Sequence, residues 1–199
     1  RLVGSEMCIR DSSKGWANDQ KEFFSMIISK PVDKFFIVNQ DSVYDESKRT
    51  GKGVIGFLEF STEDNEQVFA KVGVSSVSIK NAHENLMHEI KSWDFEKIKL
   101  SAEKAWNHEL SKVEIKTEDN SKKKVFYTAM YHSMITPNLY HDINGDYRGA
   151  DKKIYNDSSF TNYTLFSLWD TYRAAHPLYT ILHTERVDDM ITSMFKIYE

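Results

Sequence analysis

Gln67-Val68-Phe69-Ala70-Lys71-Val72-Gly73-Val74-Ser75-Ser76-Val77-Ser78-Ile79, followed by Asn81-Ala82-His83-Glu84-Asn85-Leu86-Met87-His88-Glu89-Ile90, is where this chain changes its period. In the first part Val68, Ala70, Val72 and Val74 alternate with polar or small residues, the repeat of a half-buried antiparallel strand. At Asn81 the alternation stops. Asn81 followed by Glu84 has the form of a capping box, a side-chain acceptor with an acid three residues on. The expectation is a strand over 67–79, then a short helix through Leu86 and Ile90.

Upstream of this boundary the apolar residues come in short runs rich in Phe, Val and Ile. Phe23 to Ile28, Lys34 to Asn39 and Val54 to Phe60 read as strands, parted by the turn-prone Asn39-Gln40-Asp41-Ser42 and Thr62-Glu63-Asp64-Asn65. With 67–79 that makes four strands with no helix between them, which suggests part of a β-sandwich. Gly51-Lys52-Gly53 is too short for a phosphate loop and reads as a hairpin turn. Downstream the pattern is helical. Asp94 is placed to cap a helix whose apolar face runs Phe95, Ile98, Ala102, Ala105, Trp106, Leu110, Val113. Glu114 to Lys124 is charged and turn-like, a linker. Val125, Phe126, Ala129, Met130, Ser133 and Met134 share a face that Pro137 ends. After a polar loop from Tyr140 to Ser159, a third helix would carry Tyr163, Phe166, Trp169, Tyr172 and Arg173. His176-Pro177 interrupts it, with Pro177 as the first residue of another, and Val187, Met190, Ile191, Met194 and Phe195 begin a last one. The fold class is α+β.

The composition narrows the function. Of 199 residues, 26 are Lys or Arg and 30 are Asp or Glu, a formal charge of −4 without a basic block, which argues against nucleic acid as a partner. No apolar run approaches the length of a membrane span. Cys8 is the single cysteine, so there is no internal disulfide framework. The opening residues 1–13 have neither strand nor helix periodicity and lack a signal-peptide core, and read as a non-native leader. The rest of the chain reads as an internal piece of a longer protein.

Three ordered segments carry a family resemblance. The first is Gly15-Trp16-Ala17 through Phe23-Phe24. The second is Lys71-Val72-Gly73-Val74-Ser75 with Trp93-Asp94-Phe95 and Ala105-Trp106-Asn107-His108-Glu109-Leu110. The third joins Phe126-Tyr127-Thr128-Ala129-Met130-Tyr131-His132, Pro137-Asn138-Leu139-Tyr140, Tyr147-Arg148-Gly149 and Ser167-Leu168-Trp169-Asp170-Thr171-Tyr172-Arg173-Ala174-Ala175-His176-Pro177-Leu178. Together they resemble glycoside hydrolase family 92, the calcium-dependent exo-α-mannosidases. The resemblance implies the C-terminal part of an antiparallel β-sandwich over 14–80, a helical linker over 81–119, and the first helices of a truncated (α/α)6 barrel over 120–199.

The same resemblance implies inverting hydrolysis of terminal α-linked mannose, α-1,2 above all, from glycans. In that chemistry a carboxylic acid protonates the leaving oxygen while a carboxylate roughly 6.5–9.5 Å away activates water. The family's acid, in a Glu-Gly-Asn segment, and its base, in an Asp-rich Gly-Asp segment, have no counterpart here. The chain is therefore expected to be inactive alone, with calcium bound by residues beyond it. Secretion, or a periplasm, follows from where glycans lie. A non-catalytic carbohydrate- or protein-binding module is the alternative.

The residues left to bind substrate are Trp169, Asp170, Arg173 and Arg148. A sugar subsite needs an apolar platform and charged groups that hydrogen-bond hydroxyls in pairs, and Trp169, Asp170 and Arg173 supply these within one helical turn. Read without the resemblance, Trp169 is a core residue on the apolar face with Tyr163, Phe166 and Tyr172, and Asp170 with Arg173 is an ordinary helical ion pair. Arg148 lies in the segment that resembles the family's loop at the pocket rim; the plain reading is a surface loop. Asp142-Ile143-Asn144-Gly145-Asp146 alternates oxygen ligands like the start of a calcium loop, but lacks the downstream Glu, and an Asx turn at Asn144-Gly145 explains it as well. No metal is assigned to it. The seven histidines are scattered without zinc spacing, and His132 reads as a core or pocket-wall residue. No Gly-x-Ser-x-Gly elbow occurs.

Overall fold

The computed structural model describes residues 5–7, 20–39 and 42–199. Most of the leader, Gly15-Trp16-Ala17 and the middle of the turn at 39–42 lie outside these residues. The fold is mixed α/β. It opens with β1 (Ser5–Met7), β2 (Glu22–Ile28), β3 (Lys34–Asn39), β4 (Ser42–Tyr44), β5 (Val54–Glu59) and β6 (Ala70–Ser75). These form two antiparallel three-stranded sheets, ordered β1-β2-β6 and β4-β3-β5. β2 and β6 are in register from Phe23 opposite Ser75 to Ile28 opposite Ala70. Ser5–Met7, expected to take no part, pairs with β2 as a short edge strand. Gly51–Gly53 does form a turn, with Gly53 at φ 65°, but not a hairpin between neighbours. β4 and β5, which it joins, flank β3 on opposite edges.

The helices α1 (Ile79–Glu89), α2 (Phe95–Leu110) and α3 (Asn120–Ser133) come next. The period change is where the sequence puts it, but the cap is not. Ser78, extended at φ −158°, ψ 162°, accepts from the Asn81 amide and is the N-cap; Asn81 lies inside the first turn. Strand β6 stops at Ser75 rather than running to Ile79, which already belongs to α1. Its buried face is also the reverse of the expected one. Gly73 and Ser75 face α1, while Val72 and Val74 point outward. The reason is distance: a Cβ on Gly73 would stand 2.3 Å from the Ala82 carbonyl oxygen, so α1 rests directly on the strand backbone. Ala82, Leu86 and Ser25 are sealed in this contact, with Ser25 Oγ 3.1 Å from His83 Nδ1.

Asp94 caps α2 as expected, accepting from the Lys97 amide. The apolar stripe of α2 exists, yet no residue of it is buried; Trp106 meets Tyr131 of α3, ring centroids 4.6 Å apart. The charged linker is shorter than expected. Asp119 accepts from the Ser121 and Lys122 amides and starts α3 within it.

After α3 come β7 (Asn138–Leu139), β8 (Asp146–Arg148), β9 (Ile154–Asn156) and β10 (Tyr163–Thr164), then α4 (Leu168–Thr171), α5 (Ala175–Leu182) and α6 (Thr184–Tyr198). The polar loop thus contains a hairpin, β8 against β9, and β10 returns to pair with β7. The long helix expected through Tyr163 and Arg173 is a single turn. Tyr163 is committed to β10, and Leu165 sits at φ 67°, a left-handed conformation that no helix can pass through. Pro177 is the third residue of α5, not the first; amides of a first turn need no intrahelical acceptor, so its missing N–H is tolerated. Tyr163, Tyr179 and Met190 make the core of this part, with Phe166, Ala175, Val187 and Met194 against it. Tyr179 Oη reaches the carbonyls of Ser133 and Thr136 at 2.7 and 2.9 Å, tying α5 to the end of α3.

Candidate functional site

Among the described residues, three clusters of polar side chains bear on function. The first is the α4 turn. Trp169 is 85% exposed, so it is not the core residue that its apolar neighbours suggest. Asp170 and Arg173 do not pair with each other as helical neighbours. Asp170 Oδ2 accepts from Ser167 Oγ, and Arg173 Nε donates to Tyr172 Oη at 2.9 Å while its guanidinium lies against the Tyr172 ring. Indole, carboxylate and guanidinium are therefore all presented at the surface of one turn and its C-terminal edge. His176, just beyond, is edge-on to Tyr179, and burial pushes its imidazole below the ordinary value, so it is neutral near pH 7. His132, expected in the core or a pocket wall, is exposed beside Tyr131.

The second cluster joins α1 to the β8–β9 hairpin, and it holds Arg148. The hydrogen bonds of Arg148, among the described residues, go to backbone and not to the α4 turn: Nε donates to the Ser76 carbonyl at 2.8 Å and Nη1 to the Lys152 carbonyl at 2.9 Å. Six residues earlier Asp142 is buried, with 4% of its surface exposed. Its carboxylate accepts from Ser75 Oγ at 2.7 Å and from the Asn81 and Asn85 amides at 2.8 Å each. Asn81 Nδ2 is also 2.8 Å from Asp146 Oδ2, which Asn144 Nδ2 meets at the same distance. Asn156 Nδ2 serves the other oxygen of Asp146 at 2.7 Å. These bonds from Asn156 and Asn81 hold Asp146 below the usual carboxylate range. Glu22, partly buried and facing the charge of Asp142, is pushed above it.

This arrangement answers the question of the Asp142–Asp146 loop. It is an Asx turn: the Asp146 amide donates to Asn144 Oδ1 at 3.0 Å, and Gly145 adopts φ 85°. It does not fit calcium. An ion there needs oxygens converging on free space, whereas the Asn81 amide nitrogen already stands between the two carboxylates. The orientation of that amide is fixed, because Asn81 Oδ1 accepts from Ser78 Oγ at 2.7 Å. Sequence reasoning missed Asn81 and Asn85 as site residues. The signal was available: at i and i+4 they share a face with Ala82 and Leu86, and two amides on a buried face demand partners.

The third cluster lies where α2 meets α6. Glu109, His183 and Glu185 are, among the described residues, the one group of three side chains with metal-ligand geometry. A cation is already there. Lys112 Nζ is 2.9 Å from Glu109, 2.8 Å from Glu185 and 3.1 Å from His183 Nδ1. An ammonium has only protons to offer, so Nδ1 is the acceptor and the imidazole is neutral. Burial and the charge of Lys112 push His183 below its ordinary value, in agreement. Burial alone would raise Glu109, but the bond from Lys112 and the charges of Arg186 and Lys112 outweigh it and hold it low.

The sequence profile of the glycosyl hydrolase family 92 catalytic domain matches residues 81–199, from the buried Asn81 through α6. The chain belongs to glycosyl hydrolase family 92. It is 33% identical over 123 residues to an uncharacterized secreted glycosidase of Arthroderma benhamiae, a stretch that is 59% of this chain and 15% of that protein. Its fold matches that of a family GH92 α-mannosidase from Bacteroides thetaiotaomicron with a TM-score of 0.86 and 32% identity, covering 99% of this chain and 29% of that one. The same family GH92 enzyme solved in complex with mannoimidazole gives a TM-score of 0.85 at 32% identity, over 99% of this chain and 28% of that chain. The family 92 chain described here thus spans less than a third of the relatives it matches. No helix of the described residues is long and apolar enough to cross a membrane.

Proposed function

We propose that this chain is part of an exo-acting α-mannosidase that removes terminal α-linked mannose, α-1,2-linked above all, from glycans with inversion. The observation that carries the reading is the family 92 match over 81–199 together with likeness, at 32% identity, to an α-mannosidase solved with mannoimidazole. The two sheets are read as part of an antiparallel β-sandwich, residues 81–119 as the helical linker, and 120–199 as the opening helices of an (α/α)6 barrel. The catalytic acid, the base and the calcium ligands lie in segments outside this chain, and the chain alone is inactive. Secretion is supported by the name of the Arthroderma benhamiae relative.

Trp169, Asp170, Arg173 and Arg148 are assigned to substrate binding. The exposed indole supplies a platform for a sugar face, and the Asp170 carboxylate accepts hydrogen bonds from adjacent hydroxyls. Such charge-assisted bonds are worth about 1.5–3 kcal/mol each. The test is release of mannose by the full-length parent with calcium and after chelation. Asp170→Asn in that enzyme should lower kcat/KM at least about tenfold, the loss of one such bond, while Tm moves little. If the parent releases no mannose from any α-mannoside, the mannosidase reading fails and a carbohydrate-binding module takes its place. If Asp170→Asn lowers Tm and keeps specific activity, the site assignment fails alone.

A further inference from the structure

The segment Asp142–Arg148 is fastened to the β6–α1 junction at both of its ends. Asp142 is held by Ser75, Asn81 and Asn85, and Arg148 Nε by the carbonyl of Ser76, the residue next to Ser75. Between these points stands one amide group. Asn81 Nδ2 has two protons, and its two closest acceptors are Asp142 Oδ2 and Asp146 Oδ2, each at 2.8 Å. Asp142 lies before the Asx turn and Asp146 opens β8, so the bridge fixes the angle at which β8 leaves the turn. Asn81 itself has no freedom to swing: it is 5% exposed and its oxygen is taken by Ser78. With Nε and one proton of Nη1 of Arg148 donated to carbonyls, the plane of the guanidinium is set, and Nη2 is the nitrogen for which no hydrogen bond is seen among the described residues.

We propose that Asn81 is a positioning residue: it bridges the carboxylates of Asp142 and Asp146 so that Arg148 offers Nη2 to the substrate in one orientation. The proposal rests on the mannosidase reading for what Arg148 binds, but the bridge itself is tested without activity. In the full-length enzyme Asn81→Ala removes the bridge and leaves each carboxylate other donors, Ser75 and Asn85 for Asp142, Asn144 and Asn156 for Asp146. Hydrogen exchange over residues 142–156 should then quicken at least about tenfold while α6 is unchanged.

On an α-mannoside, loss of a correctly aimed binding group raises KM and leaves kcat nearly alone, whereas loss of folded enzyme lowers apparent kcat at constant KM. Asn81→Ala should raise KM at least about fivefold with kcat within about twofold. In an Arg148→Ala background it should add nothing further, since both act through one contact. Unchanged exchange in the hairpin overturns the proposal, as does a fall in kcat and Tm at constant KM, or KM effects that multiply in the double variant. Asp146→Ala, which cuts the same bridge from its hairpin side, replaces Asn81→Ala should the latter not fold. If the wild-type parent proves inactive while hairpin exchange still quickens, the mannosidase reading has failed and the bridge stands.

Discussion

Gly73→Ala is an unusually sharp probe of this fold, because two effects of opposite sign compete at one methyl group. Gly73 lies in a strand with no left-handed φ, and there an alanine ordinarily stabilises a protein by about 0.4–1 kcal/mol through the unfolded chain. The added Cβ, however, would stand 2.3 Å from the Ala82 oxygen, 2.6 Å from Leu86 Cβ and 3.0 Å from the Leu86 nitrogen. Two of these are backbone atoms of α1, so no side chain can rotate away. Carbon and oxygen approach to about 3.3 Å at best, so α1 must move off β2 and β6 by about 1 Å. Overpacking of this kind costs about 1–3 kcal/mol. Part of the burial of Leu86, worth about 1.5–3 kcal/mol in full, goes with it. The net is a destabilisation of about 3 kcal/mol, or about a hundredfold in local opening at 1.4 kcal/mol per decade. Hydrogen exchange of α1 amides in the full-length protein measures it. Protection unchanged or increased in Gly73→Ala would refute the contact between α1 and the strand backbone.

Lys112→Met should cost about 1–3 kcal/mol by removing from the partly buried Glu109 one of its two cations, leaving Arg186 alone, whereas Lys34→Met, whose pair with Glu59 is largely exposed, should change stability by less than about 0.5 kcal/mol. Urea denaturation compares the two, and equal effects would count against the α2–α6 cluster as a structural centre. Acidification should destabilise the protein in two stages. His183 is held below the 6.5 of a free imidazole, so the unfolded state binds more protons and stability falls as pH drops past about 6.5. Glu109 and Asp146, held below the usual carboxylate range, contribute stability that is full above their unfolded values and lost as pH falls toward their folded ones. Glu22, raised by burial and by Asp142, works the other way over a narrow interval above 4.5. A Tm that climbs between pH 7 and 5 contradicts the neutral, buried assignment of His183.

How much was legible in the sequence depends on the range of each interaction. Strands β2, β3 and β5 announce themselves through runs of Phe, Val and Ile, and Asp94 through its local cap, since both signals act within a few residues. The face that β6 buries is not local: Val72 and Val74 look like core until α1 is seen to need the glycine side. Nor is the collapse of the third helix to one turn, which depends on Tyr163 pairing with Leu139 and on the left-handed Leu165. At the candidate site, Trp169 and Asp170 could be chosen by residue type and by family likeness, and the structure presents both at the surface. Asn81 could not be chosen as a bridge, because its two carboxylates lie 61 and 65 residues further along the chain.

That separation has a consequence for how the protein is made. Ser75 leaves the ribosome 67 residues ahead of Asp142, and at about 5–20 residues per second this is an interval of about 3–13 s. Once Glu89 has followed, α1 can lie on β2 and β6 for the rest of that interval, since every apolar atom of that contact has by then been synthesised. Asn85 Nδ2 already has the Val74 carbonyl, and Ser75 Oγ already accepts from the Val77 amide, but the hydroxyl proton and the Asn81 Nδ2 protons that will serve Asp142 have only water. When the hairpin arrives, Asp142 exchanges a full hydration shell for three neutral donors, a step that gains little until all three are in place. The seam between strands and hairpin is therefore the last part of this region to set during synthesis.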